Sequence, residues 1–463
     1  MNNRTSNTIN TTNKEPFRVP CIYPKLTLTG QTLAGKHTEN LSPLTVTVPG
    51  SKSITNRALL LATLAGGPST LNGVLFSDDS RHFLKCIQDL GIATTVDEAQ
   101  KTVSVNGCGG IIPKSEASLY VGSAGTAARF LTAFLGISEG TWHMDASEQM
   151  RRRPMAPLLS SLSELGCEIE YPEGKEGFFP FTLKGHGFTK NEITINIDHS
   201  SQFLSALLIA AFLCKEDFTI HVEGSHGMAY IDMTCKMMEQ FSITVERPAS
   251  DCFVIKAGQH YNALTYQIEP DVSAACYFYA MVPLLGIPMC VNHVHFDSLQ
   301  GDVEFIHILE KMGCTAKDTE NGILLIPPAT GQYQGITVDM SACSDQAITL
   351  AAIAPFAQTP TTITGIGHIR FQESDRLQAL VTELSKMNIK CEATEDSVTI
   401  YPGTPTPSLV ETYDDHRMAM GFSLIGLRSA GIVINDPACC RKTFENYFDV
   451  LTEVIRTITP APN

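Results

Sequence analysis

Basic side chains stand at the start of several strongly apolar stretches. In VTVPGSKSITNRALLLA, a predicted strand and a Pro-Gly turn lead to Lys52, Ser53 and Arg57 at the opening of an apolar helix. The first turn of a helix has unpaired N–H groups and partial positive charge, so these residues favour a small anion there. The spacing differs from that of the GxxxxGK[ST] nucleotide loop, and ATP is therefore not implied.

Further basic residues recur at comparable positions in the sequence. They are Arg129, Arg151, Arg152, Arg153, Arg370, Arg376, Arg417, Arg441 and Lys442. Arginine can bind a carboxylate or phosphate through two parallel hydrogen bonds, whereas lysine acts as a point charge. A run of charges usually marks a solvated surface, and we keep that interpretation for Arg151 and Arg152. Arg153 precedes a proline at a predicted helix start, which favours a fixed role.

Two carboxylates lie among these cations, Asp345 in SDQAIT and Glu373 in QESDRL. A carboxylate within reach of several cations in a cleft is the usual setting of a general acid or base. Taken singly, Asp345 could instead cap a helix, and Glu373 could be a first-turn acid that complements the helix dipole. The residues alone leave both interpretations open.

Six segments begin with small polar or charged residues and continue into an apolar helical pattern. They start at Ser53, Ala124, Ser200, Val272, Ser344 and His416, at intervals of 71, 76, 72, 72 and 72 residues. A second series, at Gly91, Gly166, Ser242, Gly313 and Asn388, has the stop signal expected at the end of a second helix. This regularity indicates an internal repeat.

The repeats predict the fold class. Each supplies two helices and short strands rich in Val, Ile and Thr, so we expect an α/β protein of six units, three in each of two lobes. The first helix of each unit is apolar nearly all round and should lie inside its lobe, whereas the second has one polar face and should lie outside. Several inner helices whose polar starts converge on one cleft would form a receptor for anions, although capping is the alternative role for any single start.

Composition limits the possible functions. A chain of 463 residues with 43% hydrophobic and 17% charged residues is globular and too long for one core, and no apolar run could span a bilayer. The formal net charge of -15 gives no support for a nucleic-acid or anionic-membrane partner. We therefore expect small-molecule ligands and, in the absence of an apolar surface stripe, a monomer.

Cysteine usage and the N-terminus indicate the compartment. The 14 cysteines include no CxxC pair, which argues against a disulfide framework or a zinc site and favours a reducing cytoplasm. Residues 1–21 are rich in Asn and Thr and poor in apolar residues, so we expect a disordered extension. A targeting role is the alternative, but the segment is poor in arginine and weakly amphipathic.

Together the motifs resemble the EPSP synthase (3-phosphoshikimate 1-carboxyvinyltransferase) family, from about Tyr23 to Phe448. The matching segments, in the family's order and spacing, are PGSKSITNRALLLA, SDDSRH, GSAGTAARF, RRRPM, SSQFLSALL, AYIDMT, ESDRL, DDHRMAM and RKTFENYF. The resemblance implies a two-lobed enolpyruvyl transferase fold, an inside-out α/β barrel of six βαβαββ repeats. It places domain I in residues 22–48 plus 271–463 and domain II in 49–270, with the active site in the cleft between them.

The resemblance also implies a reaction. The family transfers the enolpyruvyl group of phosphoenolpyruvate to the 5-hydroxyl of shikimate 3-phosphate by addition and elimination, without a metal or other cofactor, and is the target of glyphosate. By motif, the phosphoenolpyruvate-binding residues would be Lys52, Gly125, Arg153, Gln202, Arg376, Arg417 and Lys442. Those for shikimate 3-phosphate would be Ser53, Arg57, Ser200, Ser201, Gln202, Tyr230, Asp345 and Gln372. Asp345 and Glu373 would transfer protons, with Lys52 as a further donor.

The sequence departs from the family pattern mainly on the acceptor side. Gln372 replaces a lysine that contacts the shikimate moiety, His368 replaces an asparagine four residues earlier, and Ser123 replaces the asparagine of GNAGT. The turn before Tyr230 is about one residue short. The phosphoenolpyruvate half is intact, so acceptor identity is less firmly implied than the reaction type.

Two other functions compete with this interpretation. The related UDP-N-acetylglucosamine enolpyruvyl transferases share the fold and the phosphoenolpyruvate site, but they use a loop cysteine in a different motif and lack PGSKSxxNR. A catalytically silent anion-binding protein is the other alternative, for which Gln372 is the one hint. The presence of Asp345, Glu373 and Lys52 argues against it.

Overall fold

The computed structural model describes residues 15–22, 43–172, 174–225 and 227–458. The chain forms two compact units. Unit 1 contains the described residues of Met1–Pro49, Asp271–Ser298 and Asp302–Asn463. Unit 2 contains those of Gly50–Pro270 and Leu299–Gly301.

The α-helices of the described residues follow the repeats. In unit 2 they are α1 (Lys52–Leu64), α2 (Asp78–Asp89), α3 (Gly125–Ile137), α4 (Glu148–Arg151), α5 (Ala156–Glu164), α6 (Gln202–Ala210) and α7 (Met228–Gln240). In unit 1 they are α8 (Val272–Leu285), α9 (Glu304–Lys311), α10 (Ala347–Ile353), α11 (Arg376–Lys386), α12 (His416–Arg428) and α13 (Tyr447–Ile458). Short 3₁₀ helices at Gly301–Val303, Ser344–Gln346, Gly367–Phe371 and Pro437–Lys442 precede or connect the helices of unit 1.

Unit 2 contains three four-stranded sheets of one topology. In each, the first two strands are parallel and the last two run antiparallel to their neighbours. In spatial order the strands are Thr265–Gln267, Pro68–Asn72, Thr102–Asn106 and Thr94–Asp97; Glu116–Tyr120, Gly140–Asp145, Phe181–Gly185 and Glu168–Glu170; and Glu192–Asn196, Phe218–Glu223, Cys252–Ile255 and Val245–Ala249.

Unit 1 repeats this topology in two four-stranded sheets and one three-stranded sheet. Their strands are Leu44–Val46, Met289–Val291, Gly322–Ile326 and Thr315–Thr319; Thr337–Asp339, Thr361–Thr364, Val398–Ile400 and Cys391–Ala393; and Ser408–Val410, Ile432–Ile434 and Phe17–Arg18. Three sheets in each unit, each with an inner and an outer helix, confirm the predicted fold class of six α/β repeats.

The inner helices are buried as predicted. Every residue of α3 is buried, and α1 is buried from Ile54 to Leu64. The outer helices bury one face only: in α13 the buried residues are Tyr447, Phe448, Leu451, Val454 and Ile455. This spacing of three to four residues is that of a single helical stripe on a core.

The predicted stops of the second helices are left-handed residues. Gly91, Gly166, Ser242, Gly313 and Asn388 have φ angles of 88°, 104°, 77°, 114° and 61°. In each case the N–H of the next residue donates to the carbonyl five positions earlier, at 2.8 to 3.2 Å. These are Schellman-type ends, which satisfy the last carbonyls of the helix and turn the chain back towards the sheet.

The expected disordered extension is wrong for its last residues. Phe17 and Arg18 pair antiparallel with Ile434 and Val433, and the next apolar residue, Val19, is 2% exposed. The alternation of apolar residues in FRV suits a strand that covers a core, and this short pattern was outweighed by the polar residues before it. Residues 1–14 lie outside the described residues.

Candidate functional site

Arg57, on the second turn of α1, is a buried cation held by neutral groups. Its Nε donates to Thr234 Oγ1 at 2.8 Å, and its two Nη atoms donate to the carbonyls of Ser53 at 3.0 Å and Tyr230 at 3.2 Å. Burial lowers the pKa of the guanidinium to about 10. Among the described residues no carboxylate pairs with Arg57, so its charge is available to an anionic ligand.

Two further arginines converge on the start of α3. A Cβ atom added to Gly125 would lie 2.6 Å from Arg129 Nη1 and 2.9 Å from Arg153 Nη1. Arg129 is buried and donates to the carbonyls of Gly125 at 3.2 Å and Pro154 at 3.3 Å. The absence of a side chain at Gly125 therefore leaves room that the two guanidinium groups occupy.

The start of α6 carries the predicted serines and Gln202. Ser200 Oγ accepts a hydrogen bond from the Gln202 backbone N–H at 3.3 Å. The Oε1 atom of Gln202 is buried and has no hydrogen-bond partner among the described residues. A Cβ atom on Gly227, whose φ is 68°, would lie 2.6 Å from Ser201 Oγ. Gly227 precedes α7, and Tyr230 follows in its first turn.

These residues form a basic cluster within unit 2. Ser201 and Tyr230 meet at Gly227, Arg57 binds the Tyr230 carbonyl, and the Arg57 guanidinium lies 5.3 Å from the Phe130 ring of α3. The neighbouring Arg129 lies 5.7 Å from the Phe203 ring of α6. The basic cluster is defined by its predicted members, which are Lys52, Ser53, Arg57, Gly125, Arg153, Ser200, Ser201, Gln202 and Tyr230. Lys52 is half-buried as the first residue of α1.

Arg376, the first residue of α11, binds both predicted proton-transfer carboxylates. It donates from Nη1 to Asp345 Oδ1 at 3.1 Å and from Nη2 to Glu373 Oε2 at 2.7 Å. It also binds Asp415 and contacts Gln372 Oε1. Burial alone would lower the pKa of Arg376, but the adjacent carboxylates outweigh burial and raise it.

Asp345 is held from its other side by Arg417. Arg417 Nη2 donates to Asp345 Oδ2 at 2.6 Å, and Nη1 donates to the Asp345 carbonyl at 3.3 Å. Both oxygens of the carboxylate therefore face guanidinium groups, while its side chain stays 19% exposed. Such a carboxylate has a fixed orientation and an open face at which a proton could be exchanged.

Lys442 ends a 3₁₀ helix and is held by a strained turn. Its Nζ donates to the Asp414 carbonyl at 2.7 Å and to Asp414 Oδ2 at 3.1 Å. Tyr413 and Asp414 both have left-handed backbones, with φ of 56° and 52°. Two consecutive non-glycine residues in this region are costly, and such strain is typical of functional sites.

Two of the residues that depart from the family pattern, His368 and Gln372, also lie in unit 1, whereas Ser123 lies in unit 2. His368 Nε2 is 2.8 Å from Ser344 Oγ, next to Asp345 in the chain. Gln372 contacts Arg376 through its amide oxygen. Together with the charged residues described above, His368 and Gln372 form what we name the acidic-basic cluster of unit 1. It consists of Asp345, His368, Gln372, Glu373, Arg376, Asp415, Arg417 and Lys442.

Sequence reasoning missed supporting residues in both clusters. Asp415 is 0% exposed, caps α12 through the Arg417 N–H at 3.0 Å and binds Arg376. Thr234 orients Arg57, and Ser273 accepts from Arg417 Nη2 at 3.4 Å. An aspartate directly before His-Arg at a helix start was a usable signal for Asp415. No local signal pointed to Thr234 or Ser273.

Within the described residues, no group of three or more His, Cys, Asp or Glu is placed to hold a metal ion. In that same part of the chain, no helix has the length and apolar character that crossing a membrane requires.

Comparison with solved structures defines the class of the protein. An EPSP synthase from Acinetobacter baumannii superposes with a TM-score of 0.74 at 24% identity, over 89% of this chain and 96% of that chain. The fold is therefore the two-domain enolpyruvyl transferase fold, built from six βαβαββ repeats.

Sequence comparison then gives the family. The chain belongs to the EPSP synthase (3-phosphoshikimate 1-carboxyvinyltransferase) family, whose model matches residues 39–451. A 3-phosphoshikimate 1-carboxyvinyltransferase of Trichormus variabilis is 45% identical over 87% of this chain and 94% of its own length. One of Halalkalibacterium halodurans is 40% identical over 88% and 91%. The predicted family, fold class and enzyme activity are confirmed.

Proposed function

We propose that the chain transfers the enolpyruvyl group of phosphoenolpyruvate to the 5-hydroxyl of shikimate 3-phosphate, with residues of both units at one active site. The domains would be residues 22–48 plus 271–463 and residues 49–270. The observation that carries this proposal is the position of Asp345 between Arg376 and Arg417, with Glu373 on the same arginine. Two fixed carboxylates beside two guanidinium groups suit proton transfer next to an anionic substrate.

The reaction needs two proton transfers and charge neutralisation. In the addition step, a carboxylate takes the proton of the 5-hydroxyl while the hydroxyl oxygen bonds to C2 of phosphoenolpyruvate. An acid protonates C3, which becomes a methyl group. In the elimination step, the methyl group returns a proton to the base while the C2–O bond to phosphate breaks. Asp345 and Glu373 are the proposed proton-transfer pair, and Lys52 is a further donor.

The donor would be held by cations and close backbone contacts. Arg376, Arg417 and Lys442 in unit 1 are each at least partly neutralised by carboxylates. Phosphoenolpyruvate carries both carboxylate and phosphate oxygens, so it can replace part of these contacts without leaving the cations unpaired. Lys52, Gly125, Arg153 and Gln202 complete the proposed phosphoenolpyruvate site in unit 2.

The acceptor phosphate would bind the basic cluster. Arg57 is a buried charge with neutral partners, which a phosphate dianion would compensate. The hydroxyls of Ser53, Ser200, Ser201 and Tyr230 supply further hydrogen-bond donors. Asp345, Gln202 and Gln372 would contact the rest of the acceptor. Because Gln372 is an uncharged residue bound to Arg376, we expect it to hold the ring hydroxyls through its amide.

We also propose the compartment, the oligomeric state and the ligands of the enzyme. All 14 cysteines are free thiols, which supports a reducing compartment, the cytoplasm. We propose a monomer that acts on small molecules without nucleic-acid or membrane partners and needs no cofactor. Its phosphoenolpyruvate site would also accept glyphosate.

Phosphate release from phosphoenolpyruvate tests the function. The purified protein should release phosphate when shikimate 3-phosphate is added, and not with phosphoenolpyruvate alone or with UDP-N-acetylglucosamine as acceptor. Asp345→Asn is the matched inactive variant, and Asp375→Asn, an exposed residue of the adjacent helix cap, is the control. Absence of acceptor-dependent release between pH 5 and 9 would overturn the proposal.

A further inference from the structure

Asp302 is a buried carboxylate that the proposed mechanism does not use. It lies in the 3₁₀ helix Gly301–Val303 and is 4% exposed. Its Oδ2 accepts from Ser273 Oγ at 2.7 Å, and its Oδ1 accepts from Gln346 Nε2 at 3.3 Å. Burying a carboxylate is costly, so such a residue needs a specific role.

The two partners of Asp302 lead directly to the acidic-basic cluster. The Ser273 hydroxyl donates a hydrogen bond to Asp302. The lone pairs of the Ser273 oxygen therefore remain available to accept a hydrogen bond from Arg417 Nη2, at 3.4 Å. The same nitrogen of Arg417 donates to Asp345 Oδ2 at 2.6 Å. The path Asp302–Ser273–Arg417–Asp345 is therefore continuous, with donor and acceptor roles that agree at each step.

Gln346 provides a second connection. It follows Asp345 in the chain and is 0% exposed. The Thr349 hydroxyl donates to Gln346 Oε1 at 3.1 Å, which directs the amide nitrogen towards Asp302. Asp302 therefore also holds the side chain of the residue that directly follows Asp345.

We infer that Asp302 is a positioning residue that holds Arg417, through Ser273, in the orientation required for phosphoenolpyruvate. This inference rests on the proposed function, which assigns Arg417 to that substrate. It also gives a role to the start of α8, the one helix start for which the sequence suggested no ligand.

The charge of Asp302 depends on the groups around it. Burial, and next the Asp345 carboxylate, raise its pKa to about 6, while Arg417 opposes the rise. The thiols of Cys276 and Cys343 also lie near it, and burial keeps both protonated by raising their pKa. Asp302 therefore loses its negative charge as the pH falls through 6, and its hold on Arg417 weakens.

Steady-state kinetics of four variants tests this role. Asp302→Asn and Ser273→Ala should each raise the KM for phosphoenolpyruvate about tenfold, the usual effect of losing a hydrogen bond to a charged group. The KM for shikimate 3-phosphate should change less than about twofold. Ser273→Thr keeps the hydroxyl and should recover most of the affinity that Ser273→Ala loses. Glu304→Gln is the control, because Glu304 is 44% exposed and pairs with Lys311 at 3.7 Å.

The pH profile separates positioning from a general structural role. The phosphate of phosphoenolpyruvate also ionises near pH 6, so the wild type is compared with each variant at every pH. The ratio of wild-type to Asp302→Asn kcat/KM for phosphoenolpyruvate should fall as the pH drops through about 6, whereas the ratio to Glu304→Gln should stay constant. A substitution that only lowered the fraction of folded molecules would lower kcat, because fewer molecules would be active. It would leave both KM and its dependence on pH unchanged.

The outcomes distinguish this inference from the proposed function. If Asp345→Asn is inactive but Ser273→Ala keeps the wild-type KM for phosphoenolpyruvate, the inference is overturned and the proposed function stands. If the wild-type protein releases no phosphate from phosphoenolpyruvate when shikimate 3-phosphate is added, the proposed function itself is wrong. Should Asp302→Asn fail to fold, the Ser273→Ala and Ser273→Thr pair decides the matter, because it leaves Asp302 in place.

Discussion

The Asp415 carboxylate accepts two hydrogen bonds from Arg376, from Nε at 2.8 Å and from Nη2 at 3.3 Å. Both side chains are almost completely buried. The pair fixes the guanidinium that binds Asp345 and Glu373, so Asp415 supports the candidate site from behind Arg376.

Removing this buried partner should destabilise the protein. Asp415→Ala leaves Arg376 with fewer counter-charges and also removes the cap of α12, so we expect a loss of about 3–5 kcal/mol. Asp375→Ala removes an exposed cap of α11 and should cost only about 1 kcal/mol. Urea unfolding of both variants measures the difference. Equal losses of unfolding free energy in the two variants would show that the buried Asp415–Arg376 pair stabilises the protein no more than an exposed helix cap does.

Asp345→Asn should leave folding intact and lower kcat by about 10²–10⁴-fold, the usual contribution of a positioned acid or base. The amide can still accept a hydrogen bond from Arg417 but cannot take up a proton. Circular dichroism and single-turnover kinetics provide the measurement. A kcat within a few-fold of the wild type would remove Asp345 from the mechanism.

Gln372→Lys should chiefly change the KM for the acceptor. Gln372 contacts Arg376, and a lysine there would be repelled by that guanidinium and directed towards an anionic ligand. The matched control is Gln378→Lys, the exposed third residue of α11. A selective change in the KM for phosphoenolpyruvate would contradict the assignment of Gln372 to the acceptor.

Gly125→Ala should weaken binding of phosphoenolpyruvate. The added methyl group would lie 2.6 Å from Arg129 Nη1 and would displace guanidinium groups at the start of α3. We expect the KM for phosphoenolpyruvate to rise by about tenfold, with stability little changed because flexible side-chain ends can move. Gly66→Ala, with no atom within 4 Å of the new methyl group, is the control. Equal KM values for the two variants would argue against a donor site there.

The pKa of Asp302 predicts how stability depends on pH. Its folded pKa of about 6 lies above the value near 3.9 of an unfolded aspartate. Between these values the folded state binds the extra proton, so the stability of the wild type should fall as the pH rises from about 4 to 6. Relative to Asp302→Asn, the fall should be on the order of 2 kcal/mol. A constant difference between the two unfolding curves would show that the pKa is not raised.

The repeats and their helix boundaries could be predicted because they depend on local chemistry. Gly91 and Asn388 end helices through their own backbone preference, and the apolar pattern of α3 reports its burial directly. The basic helix starts could be named for the same reason.

The pairings within the clusters could not be predicted in this way. Arg57 and Thr234 are 177 residues apart, and Arg417 and Ser273 are 144 apart. These contacts depend on how helices of different repeats pack against one another, which no local pattern specifies. The short strand at Phe17 was missed because its partner lies near the other end of the chain and its apolar pattern is only three residues long.

The strand Phe17–Arg18 determines when unit 1 can complete its fold during synthesis. Phe17 pairs with Ile434, more than 400 residues later, so the last sheet of unit 1 stays incomplete until almost the whole chain has been synthesised. Unit 2 comes almost entirely from one continuous segment and can fold while translation proceeds. During synthesis, the strand Phe17–Arg18 must wait with its apolar residues uncovered until its partner near the other end of the chain has been made.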